Sequence, residues 1–261
     1  MQRISVRNAR FQQWLTLLDN RGARNRTGEF LVQGVRPITM AVRCRWPLRA
    51  VIYHAGANLS RWAREILDGT DALTVAMDGD LIHELGGKDD APPELVGVAA
   101  VPDDDLRRIP AELVVVLDRP ASPGNIGTVL RSADAFGATG VIVTGHAADV
   151  YDPRTVRAST GSLFAVPAVR VATHREVLAW AGSALRVVGT DETGDVDLAA
   201  HDLTPPTLLV VGNESTGLST AWREACHRTV HIPIGGTASS LNAATAASIA
   251  LYEAARQRRA L

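Results

Sequence analysis

The chain has few cysteines and no long apolar run, and these shortages exclude several classes of protein. Cys44 and Cys226 are the only two cysteines among 261 residues, and they lack the short paired spacing of a zinc site or a redox motif. No apolar run approaches the roughly 20 residues that a membrane helix needs. Residues 1–10 are polar and basic, without the apolar stretch of a signal peptide. We therefore expect a cytoplasmic protein with reduced thiols.

The motifs of several common enzyme classes are also missing. Neither the G-x-G-x-x-G dinucleotide fingerprint nor the G-x-x-x-x-G-K-[ST] P-loop occurs, so hydride transfer and nucleoside triphosphate hydrolysis lose their main support. There is no G-x-S-x-G elbow, and the seven histidines are scattered. Catalysis by a glycosidase-type pair of carboxylates stays open as an alternative, although the spacing of the acidic residues does not favour it. We interpret Cys226, His227 and His231 as an incidental cluster and expect no metal, because a structural metal site needs four ligands.

Charge is distributed unevenly along the chain. The formal net charge is −1, but residues 1–66 contain 12 arginines and three acidic residues, so this part carries +9 and the rest carries −10. Lys88 is the only lysine. A planar guanidinium suits phosphate groups, so the basic part indicates a phosphate-binding module attached to an acidic body. A solvated arginine-rich face is the alternative interpretation.

The amino-terminal part alternates short helices and strands. Within residues 5–20, four apolar residues recur at helical spacing and predict a buried stripe: Phe11, Trp14, Leu15 and Leu18. Residues 21–26 are expected to form a polar loop. Beyond it the pattern predicts strands at 30–33, 49–53, 73–76 and 95–99, and helices at 37–43, 59–67 and 78–85. This alternation is typical of a small α/β layer domain.

A change of composition indicates a second domain. Two prolines and an acidic run in residues 101–110 predict a boundary near residue 108. Continuous apolar runs then predict buried parallel strands at 113–117, 140–144, 185–189 and 207–211. Such a doubly wound, mainly parallel sheet binds ligands in the loops beyond the carboxyl ends of its strands.

Three glycine-containing segments lie beside these strands, where a ligand is expected. They read Ser-Pro-Gly-Asn-Ile-Gly-Thr-Val-Leu-Arg at 122–131, Val-Gly-Asn-Glu-Ser-Thr-Gly-Leu-Ser at 211–219, and Ile-Pro-Ile-Gly-Gly-Thr-Ala-Ser-Ser-Leu-Asn at the start of 232–252. The first is predicted as a loop before a helix at 128–136. Simpler roles for individual residues stay open: an ion pair of Arg131 with Asp118 or Asp134, a helix cap by Glu214, and a cap of the last helix by Ser239, Ser240 or Asn242.

These segments closely resemble the three signature motifs of the SpoU (TrmH-like) branch of the SPOUT RNA methyltransferases. The matching residues are Asn125-Ile-Gly-x-x-x-Arg131, Gly212-Asn-Glu214 with Gly217-Leu-Ser219, and Ile232-Pro-Ile234 with Ser240-Leu-Asn242. The resemblance spans residues 112–261. More weakly, residues 7–34 are similar to the L30e-like substrate-binding domain of many family members. In appearance the chain is nearest to ribosomal RNA methyltransferases of the antibiotic-resistance type.

The resemblance implies methyl transfer from S-adenosylmethionine to a ribose 2′-hydroxyl, with 23S ribosomal RNA as the favoured substrate. It implies an L30e-like RNA-binding domain at 1–107 and a SPOUT catalytic domain at 108–261, which forms a homodimer and contains a deep trefoil knot. Transfer RNA as the substrate, and RNA binding without catalysis, are the alternatives. The implied catalytic residues are Asn125, Arg131, Glu214, Ser240 and Asn242. The implied cofactor-binding residues are Thr190, Gly212, Asn213, Gly217, Ile232, Ile234 and Leu241.

Arginines have two expected roles. Because a guanidinium with a pKa above roughly 12 is a poor base, we expect Arg131 to hold an RNA phosphate and stabilise the developing alkoxide. Ser240, Asn242, a phosphate oxygen or water would then accept the proton. Residues of the basic amino-terminal part are expected to contact RNA phosphates: Arg7, Arg10, Arg21, Arg24 and Arg26.

Overall fold

Alternating strands and helices form two units along the chain. The computed structural model describes residues 2–86 and 91–259. Contacts divide the chain into residues 1–102 with 151–165, and residues 103–150 with 166–261. The expected boundary near residue 108 lies close to the first division. The sequence pattern did not anticipate the return of residues 151–165 to the first unit. The roles assigned to the two domains stay predictions.

The first unit contains a five-stranded sheet in the order β1-β4-β3-β5-β2. Strands β1, β4 and β3 are parallel, whereas β5 is antiparallel to both β3 and β2. The strands are β1 (Gln2–Ile4), β2 (Glu29–Gln33), β3 (Leu48–His54), β4 (Leu73–Met77) and β5 (Leu95–Ala100). The helices are α1 (Ala9–Asp19), α2 (Arg21–Thr27), α3 (Val35–Arg43), α4 (Arg61–Asp68) and α5 (Gly79–Gly86).

Helix α1 buries Phe11, Trp14 and Leu17 in the core of this unit, while Leu15 and Leu18 are only partly buried. The prediction is therefore correct for Phe11 and Trp14. The other fully buried position is Leu17, not Leu15 or Leu18. The polar loop expected at 21–26 is wrong, because these residues form α2. The side chain of Asn20 caps this helix by accepting a hydrogen bond from the N–H of Ala23 at 2.9 Å.

Arg24 is buried, with 2% of its surface exposed. Its Nη1 donates hydrogen bonds to the carbonyl oxygens of Leu17 at 2.6 Å and Leu18 at 3.3 Å. Its Nη2 lies 3.9 Å from a carboxylate oxygen of Asp152, in the returning segment. The expected phosphate contact by Arg24 is therefore wrong, because this guanidinium satisfies the carbonyl end of α1 inside the unit.

The returning segment contains α7 (Pro153–Ala158) and places aromatic rings against the first unit. The ring of Phe30 lies 4.8 Å from that of Tyr151 and 6.3 Å from that of Phe164, measured between centroids. The ring of Trp46 meets Phe164 edge-on at 5.2 Å. Residues from both ends of this segment are thus part of the first unit's aromatic packing.

The second unit contains a seven-stranded sheet in the order β10-β12-β9-β11-β6-β7-β8, and all its pairings are parallel. The strands are β6 (Leu113–Asp118), β7 (Gly140–Thr144), β8 (Ala168–Val171), β9 (Arg186–Thr190), β10 (Val196–Asp197), β11 (Thr207–Val211) and β12 (Arg228–His231). The helices are α6 (Pro123–Ala135), α8 (His174–Ala181), α9 (Thr220–Ala225) and α10 (Ala243–Arg259). The expected α/β architecture with a parallel sheet is confirmed.

Helix α6 begins at Pro123, so the loop expected at 122–127 is wrong. Ser122 is its N-cap, with Oγ accepting a hydrogen bond from the N–H of Asn125 at 3.3 Å, and the proline occupies the first helical position. Arg131 is consequently two turns beyond the helix start, not one. Among the described residues, no helix is long and apolar enough to span a membrane.

Arg24→Met should lower the free energy of unfolding by about 3 kcal/mol, because it leaves two carbonyls and Asp152 without their buried partner. Arg26→Met, on the exposed side of the same helix, is the matched control and should change it by less than about 0.5 kcal/mol. Chemical denaturation measures both. Equal stabilities for the two variants would contradict the structural role of Arg24.

Candidate active site

The carboxyl ends of β6, β9, β11 and β12 lie side by side, since these strands are parallel neighbours. The second glycine-containing segment follows β11 and the third follows β12. The first follows β6 and opens α6. All three segments therefore start from the same edge of the sheet, as expected from the sequence.

Glu214 joins the second segment to the start of α6. Its carboxylate accepts hydrogen bonds from the backbone N–H of Ala121 at 2.9 Å and Ser122 at 3.1 Å, and from Nδ2 of Asn125 at 2.9 Å. Burial by itself would raise the pKa of this carboxyl group, but the hydrogen bonds donated by Ala121, Asn125 and Ser122 outweigh it, and the pKa is lowered. Glu214 is therefore ionised at neutral pH and does not cap α9.

Asn125 connects Glu214 to the third segment. While its Nδ2 donates to Glu214, its Oδ1 accepts a hydrogen bond from Nδ2 of Asn242 at 3.3 Å. Asn242 also caps α10, because its Oδ1 accepts from the N–H of Ala244 at 2.9 Å and of Thr245 at 3.3 Å. A continuous chain of side-chain hydrogen bonds thus links the three segments, and the capping role of Asn242 exists alongside it.

The second segment is a tight turn that requires glycine at two positions. The backbones of Asn213 and Gly217 pair through hydrogen bonds of 2.9 and 3.0 Å, and Gly217 has a left-handed φ of 64°. A Cβ atom on Gly212 would lie 2.3 Å from the carbonyl carbon of Gly217 and 2.4 Å from the nitrogen of Leu218. Because both neighbours are backbone atoms, a side chain at position 212 would force the turn apart.

Asp118 and Arg119 hold this turn against the end of β6. The buried carboxylate of Asp118 accepts a hydrogen bond from the N–H of Ser219 at 2.7 Å and forms an ion pair with Arg119 at 3.1 Å. The carbonyl of Arg119 accepts from Nδ2 of Asn213 at 2.7 Å. Arg131 therefore does not pair with Asp118. It is exposed and has no side-chain hydrogen bond or ion pair within the part of the chain that the structure describes.

A cavity of about 330 Å³ opens between the second segment, the third segment and the end of β9. Every residue expected to bind a cofactor lines it: Thr190, Gly212, Asn213, Gly217, Ile232, Ile234 and Leu241. Two of the expected catalytic residues, Glu214 and Ser240, also line it. Asn125 and Asn242 do not line the cavity, but hydrogen bonds connect them to Glu214, which does. Arg131 is not among the lining residues.

The sequence interpretation missed a polar group that also lines the cavity. Asp191, Glu192, Thr193 and Arg223 line it. One carboxylate oxygen of Asp191 forms a 2.7 Å ion pair with Arg223, and the other accepts a hydrogen bond from Oγ1 of Thr193 at 2.7 Å. Burial would raise the pKa of Asp191, but the bonds from Thr193 and the charge of Arg223 lower it overall. The position of residues 191–193 could have indicated this role, because they directly follow β9 and the carboxyl ends of parallel strands are where such sheets bind ligands.

Burial or hydrogen bonds within the fold account for the cluster of Cys226, His227 and His231. Burial raises the pKa of the Cys226 thiol to about 11, which disfavours a metal-binding thiolate. Nδ1 of His227 accepts from the N–H of Val187 at 3.0 Å, and Nδ1 of His231 lies 2.9 Å from the carbonyl of Gly194. Within the described ranges, no group of three or more metal-ligating side chains is arranged around a common point.

The remaining arginines expected to contact RNA differ in their surroundings. Arg7 forms a 2.7 Å ion pair with Glu84. Arg10 donates to Gln2 at 2.6 Å and lies over the ring of Trp14. Arg21 and Arg26 are exposed on α2. These residues are all in the first unit, and their role in RNA binding stays a prediction.

The chain matches two family models. The one described as SpoU rRNA Methylase family matches residues 112–252, and the one described as SpoU L30e-like domain matches residues 8–97. The chain is 58% identical to a protein of Streptomyces viridochromogenes named 23S rRNA (uridine(2479)-2′-O)-methyltransferase, over 98% of this chain and 93% of the relative.

Solved structures resemble the whole chain. One is the SpoU methyltransferase AviRb from Streptomyces viridochromogenes in complex with the cofactor AdoMet, with a TM-score of 0.92, 58% identity and coverage of 97% of this chain and 99% of that chain. Another is an AdoMet-bound rRNA methyltransferase from Sinorhizobium meliloti, with a TM-score of 0.87, 30% identity and coverage of 98% of both chains.

Glu214→Gln should lower the free energy of unfolding by about 1–3 kcal/mol at neutral pH, because an amide has one acceptor oxygen and would turn a donor towards a backbone N–H. The folded-state pKa of Glu214 lies below the ordinary 4.5, so its contribution is complete above pH 4.5 and is lost as the pH falls through the folded value. The difference between wild type and variant should therefore narrow below pH 4.5.

Denaturation curves at a series of pH values measure this effect. Glu224→Gln is the matched control, since Glu224 is exposed on α9 in the same unit, and this surface change should alter the free energy of unfolding by less than about 0.5 kcal/mol. A Glu214→Gln difference that stays constant into the acid range would contradict the role of the ionised carboxylate.

Proposed function

Because this chain belongs to the SpoU rRNA methylase family, we propose that it uses S-adenosylmethionine to methylate a ribose 2′-hydroxyl of 23S ribosomal RNA in the cytoplasm. The observation that carries this proposal is the hydrogen-bond chain of Glu214, Asn125 and Asn242, which joins the three motif segments beside one cavity. The named activity of the 58% identical relative supports the choice of ribosomal RNA.

The cavity fits S-adenosylmethionine by size and by chemistry. Its volume of about 330 Å³ lies at the lower end of the range for small-molecule sites. Apolar side chains that suit an adenine ring line it, among them Val230, Ile232 and Leu241. Asp191 and Glu192 supply carboxylates for hydroxyl or ammonium groups of a ligand. These residues would hold the cofactor, which supplies an electrophilic sulfonium methyl group when bound.

The protein's contribution to the reaction is to hold a weak nucleophile and ease the loss of its proton. Glu214 is ionised, but each of its oxygens already accepts a hydrogen bond from the start of α6, so we assign it to positioning Asn125 rather than to proton transfer. Ser240 is exposed at the cavity and is a candidate acceptor, together with Asn242, a phosphate oxygen or water.

Arg131 is the residue that we assign to the RNA phosphate beside the reacting ribose. Its guanidinium is exposed and has no ion pair within the described ranges, so it is available for a two-point contact with phosphate oxygens. Such a contact would also stabilise negative charge developing on the ribose oxygen.

We further assign the family's knot and its homodimer to this chain. The knot is supported by the segment after β9: the N–H of Asp191 donates to the carbonyl of Val230 at 3.0 Å, and a Cβ on Gly194 would lie 2.5 Å from that carbonyl's carbon. This segment therefore packs directly against the backbone of β12, a close approach that is compatible with a knot. For the dimer, Tyr252 offers a large apolar side chain, 52% exposed, on α10. Protection of ribosomes from an antibiotic is the biological role that the resistance-type resemblance suggests.

Gly212→Ala should weaken S-adenosylmethionine binding by more than about tenfold, because the methyl group would displace the backbone at Gly217 and Leu218. Gly236→Ala is the matched control: a Cβ on Gly236 meets nothing within 4 Å and the residue has no left-handed φ, so its affinity should equal that of wild type. Isothermal titration calorimetry measures both. Tight binding by Gly212→Ala would contradict the assigned cofactor site.

Incubation of the wild type with methyl-labelled S-adenosylmethionine and either 23S ribosomal RNA or transfer RNA tests the proposed function. We expect a 2′-O-methyl group in 23S ribosomal RNA, mapped by its block to reverse transcription. Arg131→Gln should bind the cofactor normally and transfer methyl groups at least about 100-fold more slowly. Methylation of transfer RNA instead would overturn the substrate, and absence of transfer to either RNA would overturn the activity.

A further inference from the structure

The exposed arginines of the first unit fall into two groups. Several are ion-paired: Arg3 with Asp78 at 3.1 Å, Arg7 with Glu84 at 2.7 Å and Arg61 with Glu65 at 2.7 Å. Within the described ranges, Arg43, Arg45 and Arg49 have no ion pair and no side-chain hydrogen bond. Phosphate binding favours the second group, because a paired arginine must first give up its carboxylate.

These arginines lie in one short turn between α3 and β3, with Arg43 as the last residue of the helix and Arg49 in the strand. No acidic residue occurs from position 30 to position 64. Arg26 and Arg64 are also exposed and, within the described ranges, have no ion pair and no side-chain hydrogen bond, but each lies on a separate helix. The turn therefore carries the densest unpaired positive charge of the first unit's described residues.

The backbone of the turn is unusual at two of its arginines. Arg45 has a left-handed φ of 52°, a conformation that side chains rarely adopt. Leu48 pairs with Ala99 and Ala50 with Val98, so Arg49 is an extra residue that forms a bulge in β3. A bulge redirects a side chain out of the regular alternation of a strand. Arg43 can be explained by the negative end of the α3 dipole, but Arg45 and Arg49 have no comparable structural role.

The turn is also fixed firmly to the core. Nε1 of Trp46 donates to the carbonyl of Ala100 at 2.9 Å, and the N–H of Ala100 donates to the carbonyl of Pro47 at 2.9 Å. The ring of Trp46 meets those of Phe30 and Phe164 edge-on, at 6.3 and 5.2 Å. The arginine side chains are exposed, and the contacts of Trp46 and Pro47 hold their backbone in place, which reduces the entropy lost on binding.

We propose that Arg43, Arg45 and Arg49 form the principal phosphate-contact site of the first unit and bind the sugar-phosphate backbone of the substrate RNA. This inference rests on the proposed function for the choice of RNA as ligand. It moves the expected contact surface from Arg7, Arg10 and α2 to the turn after α3. The site recognises charge rather than sequence, since guanidinium groups contact phosphates.

The test uses the full chain and a 23S ribosomal RNA transcript, with binding measured over a series of salt concentrations. Replacing Arg43, Arg45 and Arg49 together with glutamine should weaken binding at least about tenfold in moderate salt. It should also reduce the slope of log K against log salt by about 2, as expected for three lost phosphate contacts. Replacing the same residues with lysine should restore most of the slope. S-adenosylmethionine affinity should be unchanged in both variants.

The matched control removes the same number of charges elsewhere. Arg3, Arg61 and Arg107 are exposed and ion-paired, the last with Asp105 at 2.7 Å. Their joint replacement with glutamine should alter RNA affinity by less than about threefold. If the control and the test variant lose affinity equally, net charge explains the effect and the site is overturned.

Cys44 provides an independent readout within the turn. It is an exposed thiol between Arg43 and Arg45, whereas Cys226 is partly buried with its pKa raised to about 11. A maleimide should therefore modify Cys44 first, and bound RNA should slow this reaction several-fold. Equal rates with and without saturating RNA would overturn the site.

Failure of this inference is distinguishable from failure of the proposed function. A wild type that methylates 23S ribosomal RNA, with a glutamine variant that keeps the wild-type affinity and salt slope, would overturn the site alone. A wild type that neither binds nor methylates 23S ribosomal RNA would overturn both. Loss of binding in the glutamine variant, recovery in the lysine variant and protection of Cys44 would together establish the site.

Discussion

Parallel pairing of β6, β9, β11 and β12 is the constraint on which the candidate site depends. Because the strands are parallel neighbours, their carboxyl ends meet at one edge of the sheet. Residues that are far apart in sequence therefore meet: Asn125 bonds to Glu214, 89 positions away, and to Asn242, 117 positions away. An antiparallel strand among them would send one motif to the far side.

Helix capping and site assembly use the same side chains here. Ser122 caps α6 while its own N–H bonds to Glu214, and Asn242 caps α10 while it donates to Asn125. The two interpretations that the sequence left open for Asn242 are thus compatible. A polar residue at a helix start already has a fixed orientation, so it is well suited to hold a second partner.

The sequence predicted the strands with continuous apolar runs, the order of the motifs and the part of the cavity lining that the motifs supply. It missed β1, β8, β10 and β12, which are short or carry polar residues, so they lack the continuous pattern. It also missed the early start of α6 and the burial of Arg24, because capping and a buried ion pair depend on partners that periodicity does not reveal. The place of Asp191 and Glu192 at the cavity could be predicted only from the sheet order, because that order puts the end of β9 between β11 and β12, the two strands that precede motif segments.

The return of residues 151–165 to the first unit bears on how such a chain can be recombined. Tyr151 and Phe164 complete the aromatic packing around Phe30, and Asp152 faces the buried Arg24. A swap of residues 1–102 between two homologues would therefore replace one partner of each contact and leave the other partner unchanged. The first unit is built from two separate stretches of sequence, so an exchange that keeps its core intact must include both residues 1–102 and residues 151–165.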